Sequence, residues 1–220
     1  MNRFPDARQG KRTELAWLFA GLSHRVLASN QTANALEDLS MQVFNMLKRN
    51  YSAKGVFGYM NKSSFAGILR GRIACFADQV YPIYALSMFA KACGNREALK
   101  IAVNCAEAIC RLQGSFGQWW WHYDSTTGRV IGKYSVYSVH QDAMAPMALF
   151  ALGEVTGLNF DTPLYKGLEW ITGNNEFNLN LINTPQNLIW KSFYRENLKC
   201  GTMKCYLLHN SLTMIRITEF

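Results

Sequence analysis

The sequence predicts an all-α protein built from repeated helical hairpins. Two observations support this prediction: six segments place apolar residues at spacings of three and four, and two loops rich in glycine and aromatic residues resemble each other. Of the 220 residues, 49% are hydrophobic, 17% charged and 13% aromatic, which is too apolar for a disordered chain and sufficient for a substantial core. We therefore expect a folded protein.

The six amphipathic segments are predicted to be helices, and residues that start and stop helices flank several of them. Asn95 and Asp161 precede predicted starts, and Gly94 and Gly157 follow predicted ends. The predicted helices are residues 13–28, 36–47, 83–93, 98–112, 144–155 and 164–171. The longer loops between them contain strand-like stretches, such as residues 133–139, that predict short hairpins.

An internal repeat of about 60 residues relates two parts of the chain. The loop at residues 55–60 returns 59 positions later at 114–119, and the helix start at 78–82 returns 64 positions later at 142–146. A third, weaker copy begins with the helix near residue 163. Helical hairpins bury their faces only against neighbouring hairpins, so they stack in a line or close into a ring, and this long period favours a ring.

Charge and hydrophobicity limit the partners and the location. The net charge of +8 comes from basic residues that are scattered along the chain, so we expect no nucleic-acid ligand. No apolar run approaches the roughly 20 residues that cross a bilayer, and the first residues lack the apolar stretch of a signal peptide. A cytoplasmic protein without a membrane span is the expectation.

The cysteines predict neither a disulfide framework nor a metal site. Cys200, Cys205 and His209 have a spacing that matches no standard zinc site, and a fourth ligand is not evident. We therefore expect no metal and no other cofactor. The other four cysteines lie in apolar contexts and are expected to be reduced core residues: Cys75, Cys93, Cys105 and Cys110.

Residues 113–157 resemble parts of the α/α toroids, in which helical hairpins close into a double-walled barrel. Gln113, Gly117 and Trp119 match the Q-x3-G-x-W core of the QW motif of terpenoid cyclases and protein prenyltransferases, although the aspartate-rich cyclase signature and the prenyltransferase zinc ligands are absent. The same residues resemble the six-hairpin glycosidases, which include unsaturated glycuronyl hydrolases, in having an aromatic segment, an acid and an inner helix in succession. The resemblance implies an all-α, partial (α/α) toroid with short β-hairpin-like loops.

The chain is too short to close such a ring alone. At about 60 residues per hairpin, six hairpins need roughly 360 residues, whereas 220 residues form three to four. We expect residues 1–196 to form the partial toroid and residues 197–220 to form an atypical tail. A partner chain or self-association is expected to complete the ring.

Two carboxylates are the first candidates for catalysis, because glycoside hydrolysis normally needs one protonated and one ionised carboxyl group. Asp142 and Asp124 form the best pair: aromatic neighbours are expected to raise the pKa of Asp124, and a helix start is expected to keep Asp142 ionised. Purely structural alternatives stay open, with Asp78 and Asp142 as helix N-caps and Asp124 as a turn residue.

His140 is the third catalytic candidate, since lyases and epimerases use His or Tyr to move a proton on a sugar. Three consecutive tryptophans cannot all face one core, so at least one is expected to line a cavity in which a sugar ring or an isoprenoid chain would pack. The predicted substrate-binding residues are Trp119, Trp120, Trp121, His122, Asp78, Tyr81, Tyr137 and Arg195.

The first hypothesis for function is a carbohydrate-active toroid that takes a saccharide or glycan, with hydrolase, lyase and epimerase all open. The second is a non-catalytic helical-repeat scaffold that binds a glycan or a protein. The third is a protein similar to isoprenoid cyclases and prenyltransferases. The residues alone leave open whether the chain is an enzyme.

Overall fold

A computed structural model describes residues 12–29, 34–58, 71–195 and 215–218. The described residues contain six α-helices, and each overlaps a predicted one, although α3 begins six residues earlier than predicted; this confirms the mostly helical fold class. They are α1 (Arg12–Leu27), α2 (Asn34–Lys48), α3 (Ala77–Cys93), α4 (Arg96–Leu112), α5 (Ala145–Thr156) and α6 (Asp161–Ile171). Most of the predicted tail, residues 197–214 and 219–220, lies outside the described residues.

The helices form the two layers of a partial α/α toroid. In the inner layer, α3 packs between α1 and α5, and the outer helices α2, α4 and α6 pack behind this layer. Phe19, Phe44 and Phe89, from three different helices, form part of the core between the layers, with ring centroids 4.9 to 6.4 Å apart. None of the described helices has both the length and the apolar character needed to span a bilayer.

Three local signals set helix ends as the sequence predicts, whereas Asp161, predicted to precede a helix, is the first residue of α6. Asn95 is the N-cap of α4, because its side-chain oxygen accepts the N–H of Ala98 at 2.9 Å. Gly94 and Gly157 end α3 and α5 in the left-handed conformation.

Neither Asp78 nor Asp142 occupies the N-cap position predicted for it. The N-cap position of α3 is Phe76, and Asp78 lies in the first turn of that helix. Asp142 lies inside a π-helical turn, His140–Met144, that leads directly into α5.

Short antiparallel sheets join the loops of successive hairpins. β1 (Ile73–Cys75) pairs with β2 (His122–Asp124), which also forms a hairpin with β3 (Arg129–Gly132). The strand predicted within residues 133–139 exists, but it pairs with a strand of the third loop instead of forming a local hairpin. The remaining strands are β4 (Val136–Tyr137), β5 (Ile182–Asn183), β6 (Leu188–Ile189), β7 (Ser192–Arg195) and β8 (Ile215–Thr218), with β4–β7–β8 in one sheet and β5–β6 in another.

Two glutamines show how the loops repeat. Gln79 accepts the N–H of Phe57 at 2.8 Å, and Gln141 accepts the N–H of Trp119 at 3.3 Å. Each side-chain amide also donates to the backbone carbonyl four residues before it. Both pairs of residues are 62 positions apart, so the repeat exists, but the offsets of 59 and 64 read from the sequence are wrong. The counterpart of Asp78 in the second unit is therefore His140, not Asp142.

The second unit has one more residue than the first between its glutamine and the glycine that ends its inner helix. Gly94 and Gly157, which end the inner helices, are 63 positions apart, one more than the offset of the glutamines. The π-helical turn His140–Met144 accommodates this residue, because a π-bulge is an α-helix with one residue inserted. Such turns occur frequently at functional sites.

The residues that resemble a QW motif fix the loop between α4 and α5 to α6. Gln113 donates to the carbonyl oxygen of Pro163 at 2.8 Å. The backbone of Gly117 has a φ of +94° and lies so close to α6 that a β-carbon would overlap the carbonyl group of Lys166. Trp119 is fully buried beside them. Only glycine satisfies both the backbone angle and the close approach.

We expect Gly117→Ala to lower the free energy of unfolding by about 3 kcal/mol, because a left-handed backbone costs about 1–2 kcal/mol and overpacking about 1–3 kcal/mol. Gly94→Ala is the matched control: its φ is also positive, but a β-carbon there meets nothing within 4 Å, so it should cost about 1 kcal/mol. Urea unfolding followed by circular dichroism measures both. Equal losses would contradict the role assigned to the contact with α6.

Candidate functional site

An aromatic cluster lies where the π-helical turn His140–Met144 meets the loops that precede α3 and α5. His140 is 1% exposed, and its ring stacks on Trp121 with centroids 5.1 Å apart and planes 4° from parallel. Tyr137 and Phe76 pack against the same imidazole, with centroids 5.3 and 4.7 Å away. Nδ1 of His140 lies 3.4 Å from the carbonyl oxygen of Trp119. We call Phe76, Trp121, Tyr137 and His140 the aromatic cluster.

His122 and Asp78 lie beside this cluster. The ring of His122 meets Trp121 edge to face at 5.8 Å, and the pairing of β1 with β2 sets His122 opposite Cys75. Asp78 is buried at the start of α3, where its Oδ2 accepts the N–H of Cys75 at 2.9 Å. The site therefore combines a half-buried histidine, a buried carboxylate and an aromatic wall.

Burial favours the neutral form of both histidines. Loss of hydration lowers the pKa of His140 from 6.5 to about 4, and the carbonyl of Trp119 offsets this only in part. Burial also lowers the pKa of His122, while the negative charge of Asp78 acts in the opposite direction. A neutral imidazole at pH 7 is able to accept a proton, as a general base must.

The thiol of Cys75 stays protonated at this site. Burial, reinforced by the charge of Asp78, raises the pKa of Cys75 to about 12, so it is not a thiolate nucleophile. Within the part of the chain that the structure describes, no three His, Cys, Asp or Glu side chains are grouped to hold a metal ion. The spacing of Cys200, Cys205 and His209 lies outside the described residues.

The three tryptophans separate as the alternation of side chains requires. Trp119 is fully buried, and Trp120 is nearly so, beside Tyr134. Trp121 is half-buried and belongs to the aromatic cluster. Of the three indoles, that of Trp121 is the most accessible to a ligand.

Asp124 is a turn residue, and the raised pKa predicted for it is wrong. Its Oδ1 accepts the backbone N–H groups of Thr126 and Thr127 at 2.7 and 3.3 Å and the hydroxyl of Thr126 at 2.6 Å. Slight burial acts to raise the pKa of Asp124, but these hydrogen bonds outweigh it and lower the pKa. Asp124 is thus ionised at neutral pH and unsuited to the role of general acid.

Asp142 is half-buried on the π-helical turn, two residues after His140. Burial raises its pKa, and its own backbone N–H only partly opposes the shift. Asp142 therefore lacks the cap position that was predicted to keep it ionised, and burial shifts its pKa in the opposite direction.

The last two predicted ligand-binding residues lie at the edge of the described site. Tyr81 follows Asp78 by three residues on α3, and its ring meets Trp17 edge to face at 5.4 Å. Arg195 lies on β7, the strand that pairs with β4 beside Tyr137, and its side chain is outside the described part of the structure.

Glu176 was not among the residues predicted from the sequence, although its carboxylate joins two hairpins. Its carboxylate accepts three hydrogen bonds, from Nε2 of Gln118 at 2.9 Å, Nε1 of Trp170 at 2.9 Å and the hydroxyl of Tyr134 at 2.8 Å. These donors come from two hairpins, so Glu176 fixes the third loop to the second. Its partners are 6 to 58 positions away, which no local pattern reveals.

Solved structures with the same fold are sugar-processing proteins by their names. A D-mannose isomerase superposes with a TM-score of 0.63 at 15% identity, over 83% of this chain and 46% of its own. Cellobiose 2-epimerases from Bacillus thermoamylovorans B4167 and Spirochaeta thermophila DSM 6192 both give 0.63, at 9% and 12% identity, over 76% and 84% of this chain and 46% of each epimerase. No family model and no curated protein matches the sequence.

This likeness confirms the partial α/α toroid at the level of the fold. The chain spans less than half the length of these isomerase and epimerase structures. The narrower resemblance to a QW motif stays a prediction.

Acid should destabilise the protein through His140. Because its pKa in the folded state is below that of an unfolded histidine, the unfolded chain binds the proton first, and stability falls as the pH drops from about 6.5 towards 4. The loss amounts to at most about 3 kcal/mol. His140→Phe keeps an aromatic ring in the stack and should lose less stability between pH 7 and pH 4.5, as measured by urea unfolding. His24→Gln, at an exposed histidine, is the control; equal acid sensitivity of His140→Phe and wild type would contradict the prediction.

Glu176→Gln should lower the free energy of unfolding by about 2 kcal/mol, because an amide has one acceptor oxygen and leaves at least one of the three donors unpaired. Glu169→Gln is the control, since that carboxylate is exposed, and its substitution should change stability by less than about 0.5 kcal/mol. Thermal unfolding monitored by circular dichroism compares the two. A loss no larger than that of the control would remove Glu176 from the supporting role.

Proposed function

We propose that the site binds a sugar and transfers a proton on it, as an aldose epimerase or isomerase does. The observation that supports this most is the half-buried His122, whose ring contacts the indole of Trp121 and whose pKa is lowered by burial and raised in part by the charge of Asp78. The names of the structures that share the fold, an isomerase and two 2-epimerases, point in the same direction. The proposal concerns the site that this chain contributes.

In this proposal His122 is the catalytic base and His140 is a positioning residue. His140 is almost completely buried, so its ring supports the indole of Trp121 and does not reach a ligand. The other face of Trp121 stacks on the C–H face of a sugar ring. His122, half-buried beside it, is the imidazole that a bound sugar would meet.

The proposed step is enolisation of an open-chain aldose. The proton on C2 is acidic because the neighbouring aldehyde accepts the electrons of the C–H bond. His122 takes this proton, the electrons form the C1–C2 double bond, and the aldehyde oxygen becomes an enolate oxygen. Rotation about the C2–C3 bond turns the opposite face of the C1–C2 double bond towards the protonated His122, and return of the proton to C2 on that face gives the epimer. Return to C1, with transfer of the O2 proton to O1, gives the ketose.

Hydrolysis is less well supported by the same residues. It needs a protonated acid and an ionised partner on either side of the bond, and Asp124 is tied into a turn that lowers its pKa. Burial raises the pKa of Asp142, but the carboxylate of Asp124, the predicted partner, is engaged by the backbone of its own turn. A glycan-binding scaffold without chemistry is the second candidate, and the short span of the chain relative to the sugar enzymes favours it.

The decisive measurement is hydrogen exchange at C2 of a sugar in D2O. Wild-type protein with glucose, mannose or cellobiose should replace the C2 proton by deuterium and form an epimer or ketose, which proton NMR detects. His122→Gln should slow the exchange by about 100-fold or more, the usual contribution of a general base. His24→Gln, at a histidine with no contact to the aromatic cluster in the described structure, should exchange at the wild-type rate.

Other outcomes would favour the alternatives. Release of reducing ends from an oligosaccharide, abolished by Asp142→Asn, would support a hydrolase. Calorimetric binding of cellobiose that is lost in Trp121→Ala, without any exchange by wild type, would support the scaffold. Exchange at the wild-type rate in His122→Gln would exclude the proposed base.

A further inference from the structure

The side of the inner layer that faces away from the core is apolar and open to solvent. Trp17 on α1 and Phe150 on α5 are each 57% exposed, and Met147 is 36% exposed. Tyr81 and Tyr84 on α3 lie between them and are half-buried. We call these five residues the inner face.

The inner face is continuous across the three helices. Trp17 contacts Tyr81, and Nε2 of His24 lies 2.8 Å from the hydroxyl of Tyr84, which joins α1 to α3. Lys91 and Glu154 form an ion pair at 3.5 Å, which joins α3 to α5. Residues at spacings of three, four and seven lie on one side of a helix, so Met147 and Phe150 share the side of α5 that carries Glu154. These contacts and spacings place the five residues on the same side of three adjacent helices.

Such a surface needs a partner. Large contiguous apolar patches are rare on soluble monomers and mark sites of association. In a ring of hairpins, the free side of each inner helix faces the inner helices on the opposite side of the ring. The isomerase and epimerases that share the fold are each matched over 46% of their length, so slightly more than half of each lies beyond this chain.

We propose that a second copy of this chain covers the inner face and completes the ring. Two copies supply about the length of one such isomerase or epimerase, and a two-fold axis needs only one self-complementary surface. The charges on this face do not oppose the contact, because Lys91 and Glu154 neutralise each other there, although the whole chain carries +8.

The two-fold axis in this arrangement runs along the axis of the ring. Only that orientation keeps the inner helices of both copies parallel, as ring closure requires. The loops that carry His122 and Asp78 then lie at the same end in both copies, and each site faces the other across the opening. The dimer therefore adds a second wall opposite the described site of each chain.

Sedimentation velocity over a range of concentrations tests the proposal. Wild type should sediment at twice its chain mass of 25.0 kDa. Phe150→Glu and Met147→Glu, each placing a charge on the inner face, should raise the dimer dissociation constant by about tenfold or more. Tyr165→Glu is the matched control: it is 64% exposed on the outer helix α6 and should leave the dimer unchanged.

Three results would overturn the proposal. Wild type that sediments at 25.0 kDa at every concentration would exclude a second copy as the occupant. A dimer that both inner-face variants leave intact would place the contact elsewhere, as would equal weakening by the control. Circular dichroism verifies that each variant is folded, and the two inner-face substitutions act independently if one of them fails to fold. The inference does not depend on the proposed function, because a monomer with exchange activity would contradict only the dimer.

Discussion

The arrangement of this protein depends on one buried glutamine at the start of each described inner helix after the first. The preceding loop brings irregular backbone into the interior, where an unpaired N–H or C=O group costs about 1–3 kcal/mol. A glutamine side chain both donates and accepts, so one residue pairs both kinds of group. Gln79 holds the N–H and the C=O of Phe57 at 2.8 and 3.1 Å, and Gln141 holds the N–H of Trp119. Both glutamines are completely buried, so these bonds are shielded from water.

The glutamines also determine which residues reach the site. Because each glutamine fixes the backbone around it, the residue before the glutamine occupies an equivalent place in both units. That residue is Asp78 in the first unit and His140 in the second, so the repeat sets a carboxylate and an imidazole at matching positions of adjacent inner helices. The π-helical turn then takes up the extra residue of the second unit without moving the glutamine.

The sequence predicted the helices well and the chemistry of individual residues poorly. Helix positions and ends follow from local signals, such as the cap at Asn95 and the glycines after α3 and α5. The offset of the repeat was misjudged because glycine-rich loops match at several alignments, whereas the true offset is set by hydrogen bonds from Gln79 and Gln141. The role of Asp124 was misjudged for a related reason, since its pKa reflects donors in the turn more than the nearby indoles. The support from Glu176 depends on partners in other hairpins, which spacing cannot reveal.

The two histidines illustrate how one environment is able to support the two roles proposed for them. Burial favours the neutral form of His140, so protonating it would destabilise the folded protein. This fits the proposed positioning role, in which the ring stacks on Trp121 and does not exchange protons. His122 experiences the same desolvation more weakly and the charge of Asp78 as well. Desolvation keeps His122 neutral at rest, while the adjacent carboxylate stabilises the imidazolium that forms when a proton arrives. A base requires both conditions, and within the aromatic cluster and its neighbours His122 is the residue at which they coincide.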